Sequence, residues 1–238
     1  MLRTLWLGLV VVVATGVIAP TVTVVALLRS NSPAIDRLIR FWARAIVRTS
    51  GITLRAENVD RLDPDRRYVL VANHHSYLDI PSLFVAFPHS IRFMAKASLF
   101  RIPVFGRAIK QAGFIPVDRK NRRQAIRSFD LAADRIRKGN TVVIFPEEAR
   151  SREWTMKPFQ RGAFLLAIKG GLPIVPVAIC GTFDALPATR LTLRPGPVTI
   201  RVGEPIETTG LAVSAKESLM EESRAAIEAM LSKGQPGT

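Results

Sequence analysis

Apolar and polar positions divide the chain into two unlike parts. Residues 5–28 carry no charge, and the run LWLGLVVVVATGVIAPTVTVVALL exceeds the roughly 20 apolar residues that a membrane-spanning helix needs. Gly16 and Pro20 are expected to kink it, which membrane helices tolerate. Residues 32–49 then follow a helical period. Leu38, Phe41, Trp42, Ala45 and Ile46 fall on one face, and Arg37, Arg40, Arg44 and Arg48 on another. Ser32 serves as cap and Pro33 as the first helical residue. An apolar face with Trp and Phe beside an arginine stripe is the pattern of a helix lying in a membrane interface. Residues 51–67 are polar and read as an irregular connection.

Beyond residue 67, short apolar runs alternate with helical patterns. Strands are expected over 68–72, 91–95, 114–117, 141–145, 174–179 and 198–202, and helices over 99–111, 122–137, 163–169 and 214–231. In the second of these helices Ile126, Phe129, Ala133 and Ile136 make the apolar stripe, and Gly139 ends it. Strands alternating with helices predict an α/β fold, a layered mixed sheet flanked by helices. The chain is thus expected to divide into a membrane anchor with its amphipathic helix over 1–50 and a globular domain over 51–238, ending in a frayed tail at 234–238.

Charge narrows the class of partner. Thirty-four Lys and Arg against 19 Asp and Glu leave a net charge of +15, which suits an anionic membrane face, a phosphorylated substrate or nucleic acid. The densest basic run, 119–123, contains no aromatic residue and the chain has only two Tyr, a poor match to a stacking surface, so no nucleic-acid partner is expected. Arginines after the apolar run outnumber those before it, which places residues 51–238 on the cytoplasmic side of the membrane. The run is longer than the apolar region of a secretory signal, roughly 7–15 residues, so an anchor rather than a cleaved leader is expected. The single cysteine, Cys180, ends an apolar run and reads as a small buried hydrophobe.

The chemistry concentrates where strands end. The run 68–72 leads directly into Asn73-His74-His75-Ser76-Tyr77-Leu78-Asp79, and polar groups past a strand end are where α/β domains place sites. A histidine beside an aspartate is a potential general base with its orienter. On a continuous helix His75 and Asp79, four apart, share a face and His74 does not. If His74 sits on a turn before the helix, the longer spacing becomes reachable, and the residues alone leave the two open. Two further runs end in Asp118-Arg119 and in Glu147-Glu148-Ala149-Arg150-Ser151. Neither a G-x-S-x-G elbow nor a glycine-rich phosphate loop is present, and three histidines with one cysteine give no metal-ligand spacing.

Four blocks, in order over 68–179, resemble the 1-acylglycerol-3-phosphate acyltransferases and their glycerolipid acyltransferase relatives. NHHSYLD is similar to N-H-x-S-x-x-D, GFIPVDR to the second block, FPEEARS to F-P-E-G-T-R-S, and LPIVPVAI to the fourth. The resemblance implies a glycerolipid-acyltransferase-like domain over 51–238, with His74 as base and Asp79 as its partner. It places Gly113, Arg119, Glu147 and Arg150 at substrate-binding positions, and Lys96 near the phosphate. KPFQRGAF, with Lys157 and Arg161, matches the stretch between the third and fourth blocks. The reaction implied is transfer of a fatty acyl chain from acyl-CoA or acyl carrier protein (acyl-ACP) to the free sn-2 hydroxyl of lysophosphatidic acid. It gives phosphatidic acid at the inner membrane, without an acyl-enzyme, a metal or a bound cofactor. One departure is Glu148-Ala149, where the family has Gly-Thr. It bears on the head group accepted, so another lysophospholipid or a lyso-ornithine lipid is the alternative acceptor. A non-catalytic basic membrane-surface protein is the alternative of another class, and it would need the charge but not His74 and Asp79.

Overall fold

In the computed structural model, which describes residues 1–30, 32–118, 122–137 and 139–233, seven strands form one sheet. Its order is β1 (Thr53–Glu57), β7 (Pro197–Val202), β6 (Ile174–Cys180), β2 (Val69–Ala72), β5 (Thr141–Ile144), β3 (Ile91–Lys96) and β4 (Ile115–Val117). Every neighbouring pair is parallel except β6 with β7. The fold is thus the mixed, helix-flanked α/β sheet that the alternation of runs predicts. All four residues of β2 are buried, as expected of a strand covered on both faces. Leu70 and Ala72 face one apolar cluster with α1 (Leu2–Leu28), α2 (Pro33–Ser50), α3 (Asp79–Ala86) and α4 (Phe105–Gln111). Val69 and Val71 face another with α5 (Arg122–Arg137), α6 (Gly162–Gly170) and α8 (Lys216–Ser232). A short α7 (Thr182–Ala185) follows β6. Strands β2, β5, β3 and β4 are adjacent and parallel, so their following loops gather at one edge of the sheet.

Helix α1 is 27 residues long, about 40 Å, and apolar enough to cross a membrane. It nevertheless lies against the domain: Leu7 near its start packs with Ile46, Leu78 and Leu186, while Val22 and Ala26 near its end join the cluster under the sheet. Its other side exposes Leu5, Trp6, Leu9, Val13, Val17 and Val24.

Three expectations are corrected and one open choice is decided. Residues 51–67 are not irregular throughout; they contain β1, which pairs with β7. An edge strand with one half-buried and four exposed residues carries no apolar alternation to read. Residues 99–111 do not form one helix. A 3₁₀ turn (Ala97–Arg101) stops before Pro103, which has no N–H to donate, and α4 starts only at Phe105. Between them Val104 sits at φ 61 and ψ −61, and the Phe105 N–H donates to the Pro103 carbonyl at 2.6 Å, closing a γ-turn. The buried side of α2 is Ile35, Ile39, Ala43, Ile46 and Val47, whereas Phe41 is 64% exposed, outward with Arg37, Arg44 and Arg48. Arg40 is drawn back onto the domain, donating to the Pro88 carbonyl at 2.6 Å. Finally, α3 begins only at Asp79, so neither histidine is on a helix. The tail at 234–238 lies outside the described residues.

Candidate active site

The turn after β2 is tied down by carboxylates and one amide. Asp79 is fully buried at the first turn of α3. Its Oδ2 accepts the His75 and Ser76 backbone N–H groups at 2.8 Å each and the His74 ring Nδ1–H at 2.7 Å. The free N–H groups at a helix start suit a carboxylate there. Asn73 fixes the turn to the sheet, donating to the Ile179 carbonyl and accepting the Ile179 N–H, at 3.0 and 2.7 Å. Ser76 Oγ donates to the Leu186 carbonyl at 2.6 Å and accepts the Leu78 N–H.

The two histidines have different surroundings. His74 lies on the turn, bonded to Asp79 through Nδ1, and its ring stacks on Phe145 with centroids 4.0 Å apart. Its Nε2 takes no protein partner among the described residues, and the ring lines the large cavity described below. His75 is buried in the domain, its Nδ1 accepting from Asn73 Nδ2 at 3.0 Å and its ring edge-on to Phe183. Burial holds the His75 imidazole below the ordinary histidine range, with only partial relief from the Asp79 charge. Of the two rings, only that of His74 lines the cavity.

The loop after β5 meets this turn. Glu147 is 5% exposed, and both its oxygens accept backbone N–H groups: Oε1 from His74 at 2.7 Å, Oε2 from Lys157 at 2.8 Å. Burial raises the Glu147 carboxyl above the usual carboxylate range, and the two N–H groups oppose that shift. The His74 carbonyl in turn accepts the Ser151 N–H at 2.8 Å. Arg150 places its guanidinium 3.4 Å above the Tyr77 ring, and its carbonyl accepts from Lys157 Nζ. Glu148 stands at φ 62, in the left-handed region that glycine adopts without strain, which accounts for Gly as the motif's residue there.

A cavity of about 760 Å³ opens in front of His74, within the range of ligand sites. Its apolar wall comes from α1, α2, α3 and α4, with Val11, Ile18, Trp42, Phe84 and Ala108 among the lining residues. Lys96, at the end of β3, Glu148 and Arg150 supply charge along the wall. The structure thus gathers His74, Asp79, Glu147, Lys96 and Arg150 about one space, with Asp79 and Glu147 behind it. Gly113 is not in the wall. It sits at φ 90, where an added Cβ would lie 3.3 Å from the Arg92 guanidinium, a turn that a side chain would strain. Arg119 lies outside the described residues. Among the described residues no three His, Cys, Asp or Glu side chains gather closely enough to hold a metal ion. Phe145, Tyr77 and the α1 wall have no signature in the sequence beyond being apolar or aromatic.

The family model described as Acyltransferase matches residues 53–180, more than half of the chain. The chain belongs to the acyltransferase family. This acyltransferase is 39% identical over 140 residues to a 1-acyl-sn-glycerol-3-phosphate acyltransferase of Chlamydomonas reinhardtii, a match covering 58% of this chain and 42% of that protein. It is 31% identical over 176 residues to the human 1-acyl-sn-glycerol-3-phosphate acyltransferase alpha, covering 74% of this chain and 62% of that one. The matched region thus spans less than half of the algal relative's length. Its fold is that of the crystal structure of the 1-acyl-sn-glycerophosphate acyltransferase PlsC from Thermotoga maritima. The TM-score is 0.78 at 23% identity, over 100% of this acyltransferase and 99% of that chain.

Proposed function

We propose that the chain moves a fatty acyl group from acyl-CoA or acyl-ACP to the sn-2 hydroxyl of lysophosphatidic acid, giving phosphatidic acid. The observation that carries this reading is the His74–Asp79 pair at the mouth of an apolar cavity with Lys96 and Arg150 on its wall. His74 Nε2 takes the hydroxyl proton as the acceptor oxygen attacks the thioester carbonyl. Asp79 holds the other ring nitrogen protonated and balances the imidazolium as it forms. The C–S bond then breaks, and the thiolate leaving group recovers the proton from His74, so no acyl-enzyme is formed. Lys96 and Arg150 hold the acceptor phosphate, Arg150 as a planar fork already oriented by Tyr77. The acyl chains occupy the apolar wall. Glu147, with both oxygens committed to backbone N–H groups, positions His74 rather than touching substrate.

The chain works at a membrane, on the cytoplasmic side of the inner membrane in this reading. The support is the outward apolar side of α1, the outward arginines of α2, and lipid substrates. Relatives that act on 1-acylglycerol-3-phosphate favour that acceptor. Glu148 on the cavity wall is the one feature favouring an acceptor with a less anionic head group. The test is acyl transfer by the purified chain with a panel of lysolipids and both donor types. Turnover on lysophosphatidic acid well above the rest is expected. No transfer to any lysolipid from either donor would refute the proposal.

A further inference from the structure

The segment 188–195, between α7 and β7, has no regular structure and no part in the site, yet it is held firmly against the anchor. The Leu193 N–H donates to Thr4 Oγ1 in the first turn of α1 at 3.0 Å. The Leu193 side chain is buried with Leu7, Ile46 and Val47. At the end of α2, a Cβ on Gly51 would lie 3.3 Å from Pro195, and the Thr53 N–H donates to Gly196 at 2.9 Å. The segment therefore closes the end of the helix pair where α1 begins and α2 finishes.

With Leu193 turned in, Leu191 points out and is 73% exposed. An isolated exposed leucine is ordinary. This one is two residues from Leu193, whose N–H is bonded to Thr4 in the turn of α1 that also exposes Leu2, Leu5 and Trp6, and Arg190 and Arg194 on either side of it are exposed. Neither arginine has a carboxylate within 4.0 Å among the described residues, although Arg194 acts at longer range on Asp184. Arg3 and Arg48 lie exposed at the same end of the pair. Apolar side chains directed outward and fringed by exposed arginines suit the acyl–headgroup boundary of an anionic bilayer.

We propose that residues 188–195 form a second lipid contact, with Leu191 in the acyl boundary and Arg190 and Arg194 on anionic headgroups. The proposal rests on the reading that the outward side of α1 sits in lipid. It extends the membrane seat from the helix pair to the segment that directly follows Leu186 and Pro187, the two residues bonded or bridged to Ser76. The experiment uses the full chain with Cys180→Ser and single cysteines at Leu191, Leu9 or Lys169, each carrying an environment-sensitive fluorophore. The vesicles are phosphatidylcholine with phosphatidylglycerol, with and without brominated acyl chains. Bromine quenching at positions 9 and 191 but not at 169 is expected. Arg190→Gln with Arg194→Gln is expected to weaken partition onto the anionic vesicles about 25-fold, about fivefold for each arginine. Quenching at position 9 with none at 191 overturns the proposal and leaves the seat of α1 standing. No quenching at either position overturns both. An unchanged partition of the double variant overturns the headgroup contact.

Discussion

Replacing Glu147 by glutamine separates two roles that a carboxylate in this position could have. In the wild type the Glu147 oxygens accept the His74 and Lys157 backbone N–H groups at 2.7 and 2.8 Å. Glutamine keeps one acceptor and turns an NH₂ group towards the other N–H. The change removes one hydrogen bond to a charged group, worth about 1.5–3 kcal/mol, and leaves a buried donor unmatched at about 1–3 kcal/mol. Against this stands the burial that raises the Glu147 carboxyl, a penalty on the anion that glutamine does not carry. A net loss of about 2–3 kcal/mol is expected, a fall in Tm of about 4–12 °C for a chain of this size.

The kinetic signature is more telling than the stability. Glu147 fastens the backbone of His74, the base in the proposed reaction, and a misplacement of about 1 Å at such a group costs on the order of 10²-fold in rate. Turnover by Glu147→Gln should therefore fall about 10²-fold, with KM for the lysolipid and for the donor within about twofold of wild type. The assay is steady-state transfer below the variant's melting range. If the KM for the lysolipid rises tenfold or more while kcat holds, Glu147 touches the acceptor and the positioning argument is wrong.

Other outcomes follow from the same geometry. His74→Ala should lose at least about 10²-fold in kcat and stay folded, while His75→Gln should keep most of its activity; the reverse result would move the base to His75. Burial lowers the His75 imidazole. Its contribution to stability is therefore present above the ordinary value of about 6.5 and lost as pH falls through it towards the folded value. Denaturant titrations of His75→Gln should show a flatter acid limb than wild type. Arg150→Ala should raise the KM for a phosphorylated acceptor about 10- to 150-fold, with little change for the donor, and equal shifts in both would assign Arg150 to structure or to the donor. Val104→Gly should relieve a strained β-branched residue worth about 1–3 kcal/mol, offset by about 0.5–1 kcal/mol of glycine entropy, so Tm should rise by a few degrees; a fall would refute the strain.

Much of the architecture could be read from apolar runs because the strands are covered on both faces. Strands β2, β5 and β6 are short, almost wholly apolar segments, and the polar blocks after β2 and β5 mark the edge where the site lies. What escaped was set by tertiary contact. Strand β1 is legible only through β7, its partner 144 residues further along the chain from Thr53 to Pro197. The outward turn of Phe41 follows from α2 being wedged between α1 and α3, which a helical wheel drawn around Trp42 does not foresee. The choice between His74 and His75 depended on where α3 begins. A helix-face argument assumes continuous helix, whereas Asp79 accepts the N–H groups that a turn before the helix leaves unpaired.

These local bonds also bear on how a histidine on a loop could act as the base of the proposed reaction. A loop residue is ordinarily mobile, and ordering it costs about 1–2 kcal/mol in backbone entropy alone. Here the backbone N–H groups of His74, His75 and Ser76 are all taken by two buried carboxylates, and the His74 carbonyl is taken by Ser151. The ring is held at Nδ1 by Asp79 and across its face by Phe145. With these backbone groups bonded, the turn is ordered during folding, and the cost of order is met before substrate arrives. Glu147 and the Ser151 N–H join the loop after β2 to the loop after β5, so His74 and the guanidinium of Arg150 are fixed to one frame. In the proposed reaction, a substrate held by its phosphate on Arg150 would meet Nε2 at a distance set by the fold, and positioning of this kind would supply the part of the barrier that a single proton transfer does not.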